Sequence, residues 1–156
     1  MKNIYILTFV LLFISCNTKK KISGTYISNR NIGGFFSEKI DFKENDKYTY
    51  EFSGDLEFQQ ASGGYLIKDD ILYLKFDKDK LEIDYDNDTL SLDLFYGDYH
   101  LYDLQSENGI DYHMKYKIIN NKLFVYNLST GKVVKKFEVR SKNKWKMKKV
   151  YLKKLN

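Results

Sequence analysis

An all-β fold, an antiparallel meander closed into a barrel, is predicted by three features of this sequence. From Gly24 onward apolar residues recur at alternate positions, so each run buries one face and wets the other. Asn and Asp pairs recur between the runs, and both residues tolerate the positive φ that tight hairpins need. After residue 22 no stretch carries an amphipathic helical period.

The chain opens with a different kind of segment. Lys2 precedes an apolar run from Ile4 to Ile14, broken only by Thr8, and a small residue, Ser15, then stands before Cys16, the single cysteine. This is the anatomy of a cleaved secretory signal. A bilayer span needs about 20 apolar residues, so the run is too short for a permanent transmembrane helix. Phe13-Ile14-Ser15-Cys16 resembles the lipobox of bacterial lipoproteins, with Phe13 where Leu is usual. The resemblance implies removal of residues 1–15, fatty acylation (palmitate-type chains) of Cys16, and a cell-envelope location. It implies anchoring in the outer membrane, and Lys19, Lys20 and Lys21 in place of an acidic signal favour the periplasmic face. Several acyl chains hold firmly where one holds only marginally. Residues 16–22 then form a short polar lead, and residues 23–156 a single β-barrel domain.

The strands follow in order. Tyr48, Tyr50 and Phe52 alternate with polar residues, as do Leu81, Ile83 and Tyr85, then Leu90, Leu92 and Leu94. Ile110, Tyr112, Met114, Tyr116 and Ile118 continue the pattern over a longer run. Turns are predicted at Asn45-Asp46, Asp69-Asp70, Asn87-Asp88 and Asn120-Asn121, with Asn108-Gly109 the strongest two-residue hairpin signal and Thr130-Gly131 a further reversal. Near the end, Trp145 and Met147 lie out of phase with Val150 and Leu152, which a bulge at Lys148-Lys149 would reconcile. The total is about ten to twelve short strands. So many sequential strands are best satisfied by closing the sheet, which removes its edges. Lys21-Ile22-Ser23-Gly24-Thr25-Tyr26 is similar to the first-strand Gly-x-Trp of lipocalins, with Tyr26 in place of tryptophan. The resemblance implies a lipocalin-like barrel in which Arg140 or a lysine of the last strand packs on Tyr26.

Charge is unevenly spread. Residues 23–114 carry eight basic and twenty acidic groups, residues 115–156 fourteen basic and one acidic. Opposite charges facing across strands support a sheet, so the basic C-terminal strands are expected beside acidic ones; the alternative is two faces of opposite sign. The 24 lysines against two arginines, Arg30 and Arg140, with no proline, match an AT-rich coding bias, so net charge alone says little.

Candidate chemistry is sparse. Asp84, Asp86 and Asp88 have the spacing that opens a calcium loop, but Thr89 holds the required glycine position, and a hairpin turn explains them better. His100 and His113 are the only histidines; a cross-strand metal pair is conceivable, yet no second ligand can be placed, and no metal or cofactor is expected. No Gly-x-Ser-x-Gly or phosphate-cradling glycine loop occurs, so an enzyme is not expected. Residues 140–154 hold eight basic residues interleaved with Trp145 and Tyr151; export makes nucleic acid an improbable partner, and a solvated strand face or an anionic surface fits better. Fourteen tyrosines and eleven phenylalanines suit strands and also suit a binding cavity. Tyr96, Tyr99, Tyr102 and Tyr112 are the candidates to share a lumen.

Two functions follow as expectations for a monomer tethered to the membrane through Cys16. One is a non-enzymatic carrier of a small apolar or amphipathic ligand. The other is a protein-interaction module, of inhibitor or immunity type, whose acidic middle would steer a basic partner.

Overall fold

A computed structural model describes residues 21–32, 35–54, 58–77, 103–141 and 144–155. The described part is all strand, turn and loop. In chain order the strands are β1 (Gly24–Ser28), β2 (Ser37–Phe42), β3 (Lys47–Ser53), β4 (Phe58–Lys68), β5 (Ile71–Phe76), β6 (Gln105–Glu107), β7 (Ile110–Tyr112), β8 (Met114–Ile119), β9 (Lys122–Asn127), β10 (Lys132–Val133), β11 (Lys136–Ser141), β12 (Lys144–Lys149) and β13 (Leu152–Lys154).

Eight of these close an antiparallel barrel of the lipocalin-like, up-and-down kind. Each of β1 to β5 pairs with the next, β5 pairs with β8, β8 with β9, β9 with β13, and β13 returns to β1. Closure removes the free edges that would otherwise invite pairing with another chain.

The hairpins form where the Asn and Asp pairs stand. Asn45, Asp46, Asp69, Asp70, Asn108, Asn120 and Asn121 all have positive φ, between 49° and 60°, with Gly109 at 75° and Gly131 at 64°. Asn87-Asp88 and the runs Leu81–Tyr85 and Leu90–Leu94 lie outside the described residues. At one close approach only glycine fits: a Cβ on Gly63 of β4 would stand 1.9 Å from the Lys75 carbonyl oxygen of β5.

The barrel has two unlike ends. β1 enters at the end carrying the tight turns at Asn45-Asp46, Asp69-Asp70 and Asn120-Asn121. Every long connection leaves from the opposite end: the β1–β2 loop, the segment between β5 and β8, and the excursion between β9 and β13. In that excursion β10 runs beside β9, and β11 and β12 form a separate two-stranded hairpin.

Two local expectations are corrected. The run from Ile110 to Ile118 is not one strand, because it breaks at the fully buried His113: Met114, Tyr116 and Ile118 join the main core, whereas Tyr112 does not. At the C-terminus the phase change is met by a break at Val150-Tyr151 between β12 and β13, not by a bulge at Lys148-Lys149, because the hairpin leaves the barrel there.

Candidate functional site

The interior is built from the inward positions of the barrel strands. Tyr26, Ile40, Phe42, Tyr48, Tyr50, Phe52, Leu72, Leu74, Phe76, Met114, Tyr116, Ile118, Leu123, Val125 and Leu152 belong to one buried cluster. Their rings interlock: Tyr26 meets Phe42 edge-on at 5.5 Å, Phe42 meets Tyr65 at 5.1 Å, and Phe36 stacks on Phe52 at 5.2 Å. Such arrangements suit the aromatic quadrupole. Rings of this size fill a small eight-stranded barrel.

One carboxyl lies among them. Glu38 of β2, 1% exposed, accepts at Oε1 from the Tyr116 hydroxyl at 2.8 Å and from the Tyr50 hydroxyl at 3.2 Å. Around the closed sheet β2 and β8 stand opposite each other, so the Tyr116 bond spans the lumen. His113 is equally enclosed: its Nδ1 accepts from the Phe76 backbone N–H at 3.0 Å and its ring lies 5.1 Å from that of Phe76. An accepting Nδ1 leaves the ring proton on Nε2 in the neutral form.

A second cluster sits on the outer wall. The Lys115 ammonium lies 4.7 Å from the ring centre of Tyr126, 5.7 Å from Tyr73 and 5.8 Å from Tyr112. It also pairs with Glu107, which accepts from the Tyr112 hydroxyl at 3.4 Å. The cage fastens the β6–β7 hairpin to β5, β8 and β9. Its charges act on one another: the Lys115 hydrogen bond holds the Glu107 carboxyl below its ordinary value, and burial pushes the Tyr73 and Tyr126 phenols up. Beside it, the Lys75 hydrogen bond lowers Asp111. A cleft of about 710 Å³ opens between the Asn45–Lys47 turn, β4, β5 and the Gly109–Asp111 turn; Tyr65, Tyr73, Lys75 and Asp77 line it. Its lysines are held in ion pairs, Lys47 with Asp77 at 3.6 Å and Lys75 with Asp111 at 3.3 Å, and Leu66, Phe76 and Ile110 add apolar surface, so its lining is mixed.

The third feature is the β11–β12 hairpin. Val139 is buried, and Phe137 packs with Val134 against the main core. Every described residue of β12 is exposed, Trp145 at 53% and Met147 at 59%. Asn29 clamps the root: its Nδ2 donates to the Lys149 carbonyl at 3.1 Å, its Oδ1 accepts from the Tyr151 N–H at 2.9 Å, and its own N–H donates to the Tyr151 carbonyl. No sequence signal singled out Asn29, because its partners lie about 120 residues away.

Of the residues expected to share a lumen, Tyr112 stands instead on the outer wall against Tyr73, ring centres 5.2 Å apart. The strand break at His113 puts it there. Tyr96, Tyr99 and Tyr102 lie outside the described residues, as do Cys16, His100 and the Asp84–Asp88 acids. Among the described residues no group of three His, Cys, Asp or Glu side chains is placed to hold a metal. No described helix is long and apolar enough to cross a membrane.

Searches against protein-family models, curated proteins and solved structures give no match. The site is therefore read from its own geometry.

Among the described residues the expected pairing of C-terminal lysines with the acidic part of the chain forms at Lys115, which bonds Glu107, while the lysines of β11 to β13 have other neighbours. Lys136 faces Lys149, Lys148 faces Phe137, and Lys153 stands between Lys122 and Ile27. Glu51, Asp77 and Asp111 pair with Lys39, Lys47 and Lys75 respectively, all within residues 23–114. Arg140 is in β11 opposite Trp145, and the register partner of Tyr26 on the last strand is Lys154.

Proposed function

We propose that this chain is a non-enzymatic, lipid-anchored envelope protein that works through its outer surface, as a protein-interaction module, and carries no small ligand in its lumen. One observation carries the choice between the two functions expected above. The inward positions are filled by the protein's own rings, and a hydrogen bond from Tyr116 to Glu38 joins opposite walls. A carrier keeps a cavity that a ligand can fill. What the barrel offers a partner is its exterior, where the cleft beside the Lys115 cage combines relief, apolar side chains and fixed charge. Attachment through acylated Cys16 would hold this surface close to a membrane.

Native mass spectrometry of the protein purified from cell envelopes tests the reading. The expected result is the mass of the acylated chain alone. A stoichiometric adduct of a few hundred daltons, retained when the cleft residues Lys75 and Asp111 are both changed to Ala, would overturn it in favour of a lumen carrier. Anchoring is tested separately by Cys16→Ser, which should release the protein from membranes.

A further inference from the structure

The end of the barrel away from β1's entry carries an unusual set of side chains. Phe35 in the β1–β2 loop is 47% exposed and Phe58 at the start of β4 is 65% exposed, alongside Trp145 and Met147 on the hairpin. Large apolar groups in water are normal singly but meaningful when gathered with one sign of charge. Here the charge is positive. Lys136 and Lys149 share the face of Trp145 and Met147 by register, since residues directly opposite on antiparallel strands point to the same side. One acid, Glu138, shares that face. Lys144, Lys146 and Lys148 are also exposed, but by register they lie on the other face, opposite Ser141, Val139 and Phe137. None of these lysines forms an ion pair with a described residue, whereas the lysines of the outer-wall cluster do. On the opposite face Val139 and Phe137 of β11 pack on the core, and Asn29 fixes the root, so the Trp145 face is presented by a seated element.

We infer that this end of the barrel docks on an anionic lipid bilayer, with Trp145 and Met147 entering the interfacial layer and the hairpin lysines meeting the head groups. Trp favours the membrane–water interface, where its ring is apolar and its N–H stays wet. Each lysine near an anionic surface gains on the order of 1 kcal/mol. A fluid surface also accepts apolar groups spread around a rim. A stable protein interface instead buries about 800 Å² per partner around a packed centre, and the outer face of β12 offers two apolar side chains. The inference needs the barrel but not the protein-partner reading above.

Trp145 is the only tryptophan in the chain, so fluorescence excited to the red of tyrosine absorption reports this hairpin. The full-length protein is placed in phosphatidylcholine vesicles and mixed with acceptor vesicles of phosphatidylcholine, or of phosphatidylethanolamine and phosphatidylglycerol in equal parts. With the anionic acceptors, Trp145 emission should move to shorter wavelength, iodide quenching should fall several-fold, and the vesicles should cluster. High salt, or Lys136→Glu with Lys149→Glu, should abolish all three while near-ultraviolet dichroism stays native. Lys136→Gln with Lys149→Gln gives a milder removal of the same two charges should the reversal disturb folding. Unchanged emission with anionic acceptors, or equal shifts with both acceptors, overturns the inference. A shift produced by polyglutamate but by no vesicle overturns it in favour of an acidic protein partner. Flotation with the first vesicles reads the Cys16 anchor independently, so failure of one reading is separable from failure of the other.

Discussion

The Tyr116 hydroxyl and the Glu38 carboxyl are joined at 2.8 Å although 78 residues separate them in the chain. The bond crosses the barrel, from β8 to β2, inside a core of aromatic rings. Glu38 keeps its bond from Tyr50 when the Tyr116 hydroxyl is removed, so the cost is that of one buried hydrogen bond, about 0.5–1.5 kcal/mol. Tyr116→Phe should therefore destabilise the fold by about that amount, read as a lower urea midpoint at unchanged denaturant slope. Tyr50→Phe, at the longer 3.2 Å contact, should cost less; an equal or larger effect from Tyr50→Phe would show that the cross-lumen bond is not the stronger of the two.

Gly63 tests the close approach of β4 to β5. A methyl group 1.9 Å from the Lys75 carbonyl oxygen forces the strands apart at a point where the sheet continues on both sides. Gly63→Ala should cost at least the 1–3 kcal/mol typical of overpacking, roughly, and weaken amide-exchange protection at Lys75 and Asp77 first. Protection lost evenly around the barrel would count against this local account.

Acid should loosen the outer wall before the core. Glu107, Asp111 and Glu51 are held below their ordinary values chiefly by hydrogen bonds from Lys115, Lys75 and Lys39 respectively. A carboxyl lowered by folding adds stability that is complete above its unfolded value, about 4 for Asp and Glu, and disappears as pH falls through the lower folded value. Lys115→Met should flatten the stability profile in that acid window and leave the profile near neutrality parallel to the native one. A profile in Lys115→Met as steep as the native one would remove the Lys115–Glu107 pair from the acid response.

The alkaline side mirrors this with phenols. Burial raises Tyr26, Tyr65, Tyr73 and Tyr126 above the ordinary tyrosine value. The stability they contribute is intact below about pH 10 and is lost as pH climbs through the raised values. Phenolate absorbance should accordingly appear in two stages, exposed tyrosines first and the remainder together with unfolding. A single early stage in a protein that stays folded would contradict it.

Asn29 carries a fifth expectation. Its side chain satisfies a donor and an acceptor at the root of the β11–β12 hairpin, so Asn29→Ala should increase proteolytic nicking within residues 135–149 while the barrel core resists. Global unfolding in place of local nicking would show that the hairpin is not a separable unit.

Much of the fold was legible because it is written locally. Alternation places Tyr48, Tyr50 and Phe52 inside, and Asp69-Asp70, Asn108-Gly109 and Asn120-Asn121 supply positive φ where hairpins turn. Alternation fails where a strand changes company without changing period: Tyr112 and Met114 are two residues apart, yet one faces the outer wall and the other the lumen side, because His113 between them takes a buried position. Charge misled for a similar reason. The C-terminal lysines look like partners for the acidic middle, and Lys115 is one, but β11 and β12 choose each other. The Lys115 cage was invisible since Tyr73, Tyr112 and Tyr126 come from three separate strands.

The pairing of β1 with β13 has a consequence in time. Ser28 meets Leu152 and Tyr26 meets Lys154, so β1, made early, waits for β13, made more than 120 residues later. Pairings of such high sequence separation are slow to form. Until then β1 and β9 lack their final neighbour and present backbone groups that another copy can add to. Loss of Leu152–Lys154 would leave that seam permanently open, and a chain truncated before Leu152 should accumulate as aggregate while the full chain completes its ring.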